Sequence, residues 1–132
     1  MNRMSSREEQ MTTRNAIRLL TVGATVVAVA AIPATAGAAT PVLKAEVGPG
    51  FTITLKDAKN KSVKTLKAGK YTIKVADKSD FHNFHLAGPG VNKDSGVSGT
   101  KTTTWNVTLK KGSYTFVCDP HASSMKGAFT VS

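Results

Sequence analysis

The stretch from Val117 to Gly127 reads V-C-D-P-H-A-S-S-M-K-G and contains the one cysteine of the chain, with His121 three positions on and Met125 four beyond that. A lone thiol has no disulfide partner, so Cys118 either packs as a small apolar group or does chemistry through its thiolate. Thiolate, imidazole and thioether are all metal donors, and a second group of donors, His82 and His85, lies upstream in D-F-H-N-F-H-L. A set of two histidines, one cysteine and a weak thioether suits copper, because soft sulfur and imidazole together hold both of its oxidation states.

His82 and His85 compete for one place in such a set. Alternation along an extended segment puts His82 on the same face as Phe84 and Leu86, and Asn83 with His85 on the other. Burying the first face encloses two large apolar side chains, whereas burying the second would enclose an amide and expose them, so His82 is the better donor. His85 then stands as a half-exposed surface histidine, with a supporting role or an alternative ligand position as the other readings.

These side chains need a rigid frame, and from Pro41 onward the apolar period is two. Half-buried strands are expected over Phe51–Leu55, Tyr71–Val75, Trp105–Leu109 and Tyr114–Cys118, separated by Gly-, Pro-, Asn- and Lys-rich turns. Trp105 is in phase with Val107 and Leu109 and reads as core. Gly88–Gly99, GPGVNKDSGVSG, has no strand pattern and reads as a surface loop. Seven to eight short strands and no helical stripe predict an all-β, antiparallel Greek-key sandwich or barrel. On that frame Cys118 closes a strand, Cys118, His121 and Met125 share one hairpin, and Pro120 restricts the backbone between them.

With the donors and frame laid out, the chain resembles the small type 1 (blue) copper proteins of the plastocyanin, amicyanin and pseudoazurin group, the cupredoxins. YTFVCDPHASSMKGAFTV resembles their C-terminal pattern of aromatic strand, Cys-x-Pro-His, loop, Met, Gly and final strand, and FHNFHL resembles their earlier His-Asn pattern. The resemblance implies one copper ion held by His82, Cys118, His121 and axial Met125, with Asn83 bracing the cysteine loop by hydrogen bonding. Three residues separate His121 from Met125, where plastocyanins usually have four and amicyanins two. It also implies a one-electron carrier that cycles Cu(II) and Cu(I), with His121 as the exit for electrons, a redox protein as partner and no enzymatic turnover. The alternatives are a copper module for storage, delivery or sensing, and a metal-free sandwich for adhesion.

The first 39 residues stand apart. Arg3, Arg7, Arg14 and Arg18 precede an uncharged run from Leu19 to Leu43, with Pro33 and small residues after an apolar segment Leu19–Ile32. This is the layout of a secretory signal cleaved after Ala36, Ala38 or Ala39, the competing reading being a retained membrane anchor. Residues 1–39 are thus expected to be a signal peptide of an exported protein and 40–132 a single copper-binding domain, a monomer that can also associate with a membrane surface. That domain carries 14 lysines against six acids and no arginine. Nucleic acid is not expected as a partner, since bidentate arginine is absent. Lys126, Lys93 and Lys101 are expected to favour an acidic docking surface on the redox partner.

Overall fold

The computed structural model describes residues 37–132, so the expected signal segment up to residue 36 lies outside the described residues. Among the described residues nine strands form two sheets: β1 Val42–Val47, β2 Ile53–Lys56, β3 Thr65–Leu66, β4 Gly69–Asp77, β5 His85–Gly88, β6 Val91–Asp94, β7 Lys101–Leu109, β8 Gly112–Val117 and β9 Lys126–Val131. One sheet has the order β2-β1-β4-β7 and the other β3-β9-β8-β5-β6. The all-β sandwich read from periodicity is the architecture observed. Two pairs, β1 with β4 and β3 with β9, run parallel rather than antiparallel. Each joins strands far apart in sequence, which gives the chain the length a parallel crossover requires.

Alternation places Leu43, Ala45 and Val47 of β1, Tyr71, Ile73 and Val75 of β4, and Trp105, Val107 and Leu109 of β7 on one inner face. Tyr114, Phe116, Phe129, Val131 and Leu86 cover them from the other sheet. Tyr114 is fully buried and stacks on Phe129 at a centroid distance of 5.1 Å. Its hydroxyl accepts the Lys110 amide at 2.9 Å and has the carbonyls of Lys110 and Pro89 within donating distance, so burial leaves it no unmet polar demand. Gly127 has to be glycine because a Cβ there would lie 2.2 Å from the Phe116 ring. That close approach lets Phe116 lie flat on β9, next to the hairpin that carries the donors.

Two expectations fail for local reasons. Phe51 does not belong to a strand: the Gly48 amide donates to the Thr52 carbonyl and Thr52 to Gly50, so the backbone turns on itself and pairing with β1 begins only at Ile53. Gly88–Gly99 is not all loop, since Val91–Asp94 forms edge strand β6 against β5. Of its four residues only Val91 is buried, and a strand with both faces wet leaves no alternation to read.

Candidate metal centre

The donors meet at the end of the sandwich where β1 and β4 finish. Cys118 follows directly on β8, and a short 3-10 turn, Asp119–His121, swings His121 back toward it. The loop is closed by its own backbone: the His121 amide donates to the Cys118 carbonyl, Met125 to His121 and Cys118 to Met125, at 2.8–2.9 Å. The last bond puts Met125 beside Cys118, with its side chain buried. The three residues between His121 and Met125 are thus a complete hydrogen-bonded turn.

His82 arrives on the segment before β5. The strand expected there starts later, at His85, so His82, Asn83 and Phe84 are not bound to alternate, and all three are fully buried. Phe84 and Leu86 share the buried side with His82 as expected. Asn83 does not face solvent as strand alternation requires, because irregular backbone lets it turn inward. The Nδ1 atoms of His82 and His121 lie 3.0 Å apart, and Cys118 Sγ is 3.5 Å from the first and 3.6 Å from the second. A point equidistant from atoms so spaced is about 2 Å from each, a metal–imidazole bond length and a few tenths of an ångström below a metal–thiolate bond. The structure therefore brings His82, Cys118 and His121 together as a three-donor cluster with Met125 next to it. This donor set fits one type 1 copper ion.

Asn83 and His85 hold the other side of the cysteine turn. Asn83 accepts the Asp119 amide at 2.7 Å and donates at 2.7 Å to the carboxylates of both Asp119 and Asp94. His85 stands outside the three-donor cluster: its Nδ1 lies 3.0 Å from Asp119 and its Nε2 2.6 Å from Asn92 Oδ1. The bonds to Asn92 and Asp119, with the charges of Asp119 and Asp94, raise the His85 pKa above the ordinary histidine value despite burial. For Asp119, burial pushes upward, but the bonds from Asn83 and His85 and the His85 charge outweigh it and leave the carboxyl below its usual range.

The sign of each shift fixes a pH window. The His85 contribution is complete below the ordinary histidine pKa and is lost as pH rises through the raised value. That of Asp119 is present above the ordinary carboxylate pKa and is lost as pH falls through the lowered one. Both side chains are partly solvated, at 28% and 47% exposure, so screening limits the pair to about 0.2–1 kcal/mol. His85→Gln is expected to lose that amount below pH ~6.5, where the contribution is complete, and to flatten the decline in stability above it. Urea denaturation of both proteins across that range measures it.

Behind His82, burial holds the Asp77 carboxyl above the usual carboxylate range, against bonds from the Ser79 amide and the Ser95 hydroxyl and the charges of Lys101 and His82. Ser95 Oγ also accepts the Phe84 amide at 2.8 Å, fixing the segment that carries His82.

Sequence reasoning missed two aromatic residues. Phe51 meets His121 edge-on at 4.9 Å and His82 at 5.4 Å, and Phe81 lies 4.4 Å from His82 and 6.3 Å from His121. Both are exposed, at 65% and 48%, so they cap the imidazoles and still meet solvent. Phe81 sits next to the ligand in sequence. Phe51 is more than thirty residues upstream, and its one trace in the sequence is a large apolar residue after Gly-Pro-Gly.

A two-layer β-sandwich with His82, Cys118, His121 and Met125 gathered at one end is a cupredoxin with its donors arranged as a type 1 copper site, an arrangement consistent with electron transfer. The family model for the cupredoxin-like domain matches residues 22–131, and the chain belongs to that family. Among solved structures it is similar to a single-site variant of rusticyanin, with 20% identity over 69% of this chain and 76% of that one at a TM-score of 0.52. Reduced rusticyanin matches at 20% identity, 69% and 78% coverage and a TM-score of 0.50. At these identities the likeness concerns the fold. No curated protein sequence matches the chain.

Proposed function

We propose that the protein is an exported one-electron carrier in which His82 and His121 bind copper through Nδ1, Cys118 through Sγ and Met125 as the axial donor. The observation that carries this reading is the convergence, within 3.6 Å, of His82 Nδ1 from the segment before β5 with His121 Nδ1 and Cys118 Sγ from a loop closed by its own hydrogen bonds. Bound copper would supply a centre that gains and loses one electron. The protein's part is to change little when it does: two sheets, Pro120 and the Asn83 bonds restrain every donor. Phe51 and Phe81 lie against the imidazoles, and with four donors assigned to the metal the reading favours a carrier over an enzyme.

His121 is the partly exposed imidazole and lies beside exposed Phe51, so this end is the natural contact for a redox protein. Lys126, Lys93 and Lys101 favour an acidic surface on that partner, and association that weakens with salt is the expected sign. Export rests on the basic residues and apolar run before residue 40, whose removal leaves residues 40–132 as a monomer. Among the described residues no helix is long and apolar enough to cross a membrane.

The copper-loaded domain is expected to show intense blue Cu(II) absorption that bleaches on reduction and returns on oxidation. Tight copper binding without colour or reversible cycling would instead indicate storage or delivery, and copper content near zero would exclude both.

A further inference from the structure

The outer face of the β2-β1-β4-β7 sheet holds an arrangement that the copper site does not use. Lys44 pairs with Lys56 across the antiparallel β1–β2 register and with Lys74 across the parallel β1–β4 register. All three alternate with buried neighbours and project from the same outer face, so three ammonium groups occupy one row spanning about 10 Å, two strand spacings. Like charges directly opposite one another destabilise a sheet, so this row works against the fold that contains it.

Among the described residues no acid forms a salt bridge to these three lysines. Glu46 is paired with Lys78 at 2.9 Å, and one Asp57 oxygen accepts the amides of Lys59 and Lys61 in the adjoining turn. Lys44 Nζ donates to Asn60 Oδ1 at 3.0 Å, a neutral acceptor that fixes the ammonium without cancelling its charge. A shallow concavity of about 240 Å³ lies among Lys44, Lys56, Lys74, Thr54, Glu46 and Asn60. Thr102, Thr104, Asn106 and Thr108 continue the exposed face on β7, and none of the exposed large apolar side chains, Phe51, Phe81 and Val97, lies on these strands.

We propose that this sheet face docks the protein, by charge alone, on an anionic phospholipid bilayer, with Lys44, Lys56 and Lys74 as its central contacts. An extended sheet face of lysines with no apolar projection suits a fluid array of phosphate headgroups. With no arginine in the domain, the face has no bidentate geometry to fix one orientation, and a fluid array of headgroups does not require one. The row lies three residues, about 10 Å, short of the strand ends Val47 and Asp77. The protein can therefore lie on its sheet face while the His121 end stays open to a redox partner. The docking surface does not depend on the copper assignment.

The test uses residues 37–132, which hold all nine strands and the whole described core, so the upstream apolar run cannot insert into the lipid. Sedimentation with phosphatidylglycerol–phosphatidylcholine vesicles at low ionic strength is expected to capture the domain, with none captured by phosphatidylcholine alone and release on adding salt. Replacing Lys44, Lys56 and Lys74 together by Gln is expected to weaken partitioning on the order of a hundredfold, roughly fivefold for each lysine near such a surface. The same three changed to Arg should retain it, which separates charge from folding.

A control triple, Lys93→Gln, Lys110→Gln and Lys111→Gln, removes equal charge elsewhere and should leave most of the binding. Equal losses in the two Gln triples would overturn the proposal in favour of net charge. Displacement by inorganic phosphate beyond that of chloride at matched ionic strength would overturn it in favour of a single-anion pocket. Failure to bind the anionic vesicles while binding an acidic protein would overturn it in favour of a protein partner.

Discussion

Cys118→Ser is expected to abolish the intense visible absorption of the copper-loaded domain and, with it, reversible redox cycling. The band requires a thiolate bound to copper, and Cys118 Sγ lies within 3.6 Å of both Nδ1 atoms. A serine hydroxyl in its place remains protonated at neutral pH and leaves two imidazoles as the strong donors, a set without the soft ligand that favours Cu(I). The fold should survive. Serine is close in size to cysteine, its hydroxyl has two imidazole nitrogens to bond, and burying it costs about 1–3 kcal/mol. Absorption titrated with copper, beside a urea melt of the copper-free variant, separates a lost ligand from a lost fold. A variant that stays blue would show that Cys118 is not the metal's sulfur donor.

The site could be read so far from sequence because its donors are rare residue types gathered in two short stretches, while the strands around them have one wet face. Where these conditions fail, the reading fails. β6 is wet on both sides, so Val91–Asp94 carries no alternation. Asn83 lies one residue from a ligand in irregular backbone, so strand facing predicts exposure for a residue that is buried. Phe51 and Phe81 reach the imidazoles through the folding of separate turns, a contact that no local spacing encodes. The parallel β1–β4 pairing is likewise a property of the whole topology, and it alone sets Lys44 beside Lys74.

The other large effect is expected at Asn83. Its side chain is fully buried and makes three bonds of 2.7 Å that tie the segment of His82 to the Asp119 amide and to two carboxylates. Asn83→Ala removes the acceptor for that amide and the shared donor for Asp94 and Asp119. With bonds to charged groups contributing about 1.5–3 kcal/mol each, a loss of roughly 3–5 kcal/mol is expected in urea denaturation of the copper-free domain. Because the Asp119 amide follows Cys118 directly, the copper-loaded variant should also shift in absorption maximum and potential, which a defect in distant packing would not cause. Asn83→Asp gives the sharper result. It keeps the shape but sets a third carboxylate against two others, with the donated hydrogens gone. At neutral pH it should be less stable than Asn83→Ala, and as pH falls the new carboxyl takes up a proton, turns from repulsion to donation and recovers stability. If Asn83→Asp shows the same pH profile as Asn83→Ala, the two carboxylates do not face this side chain in solution.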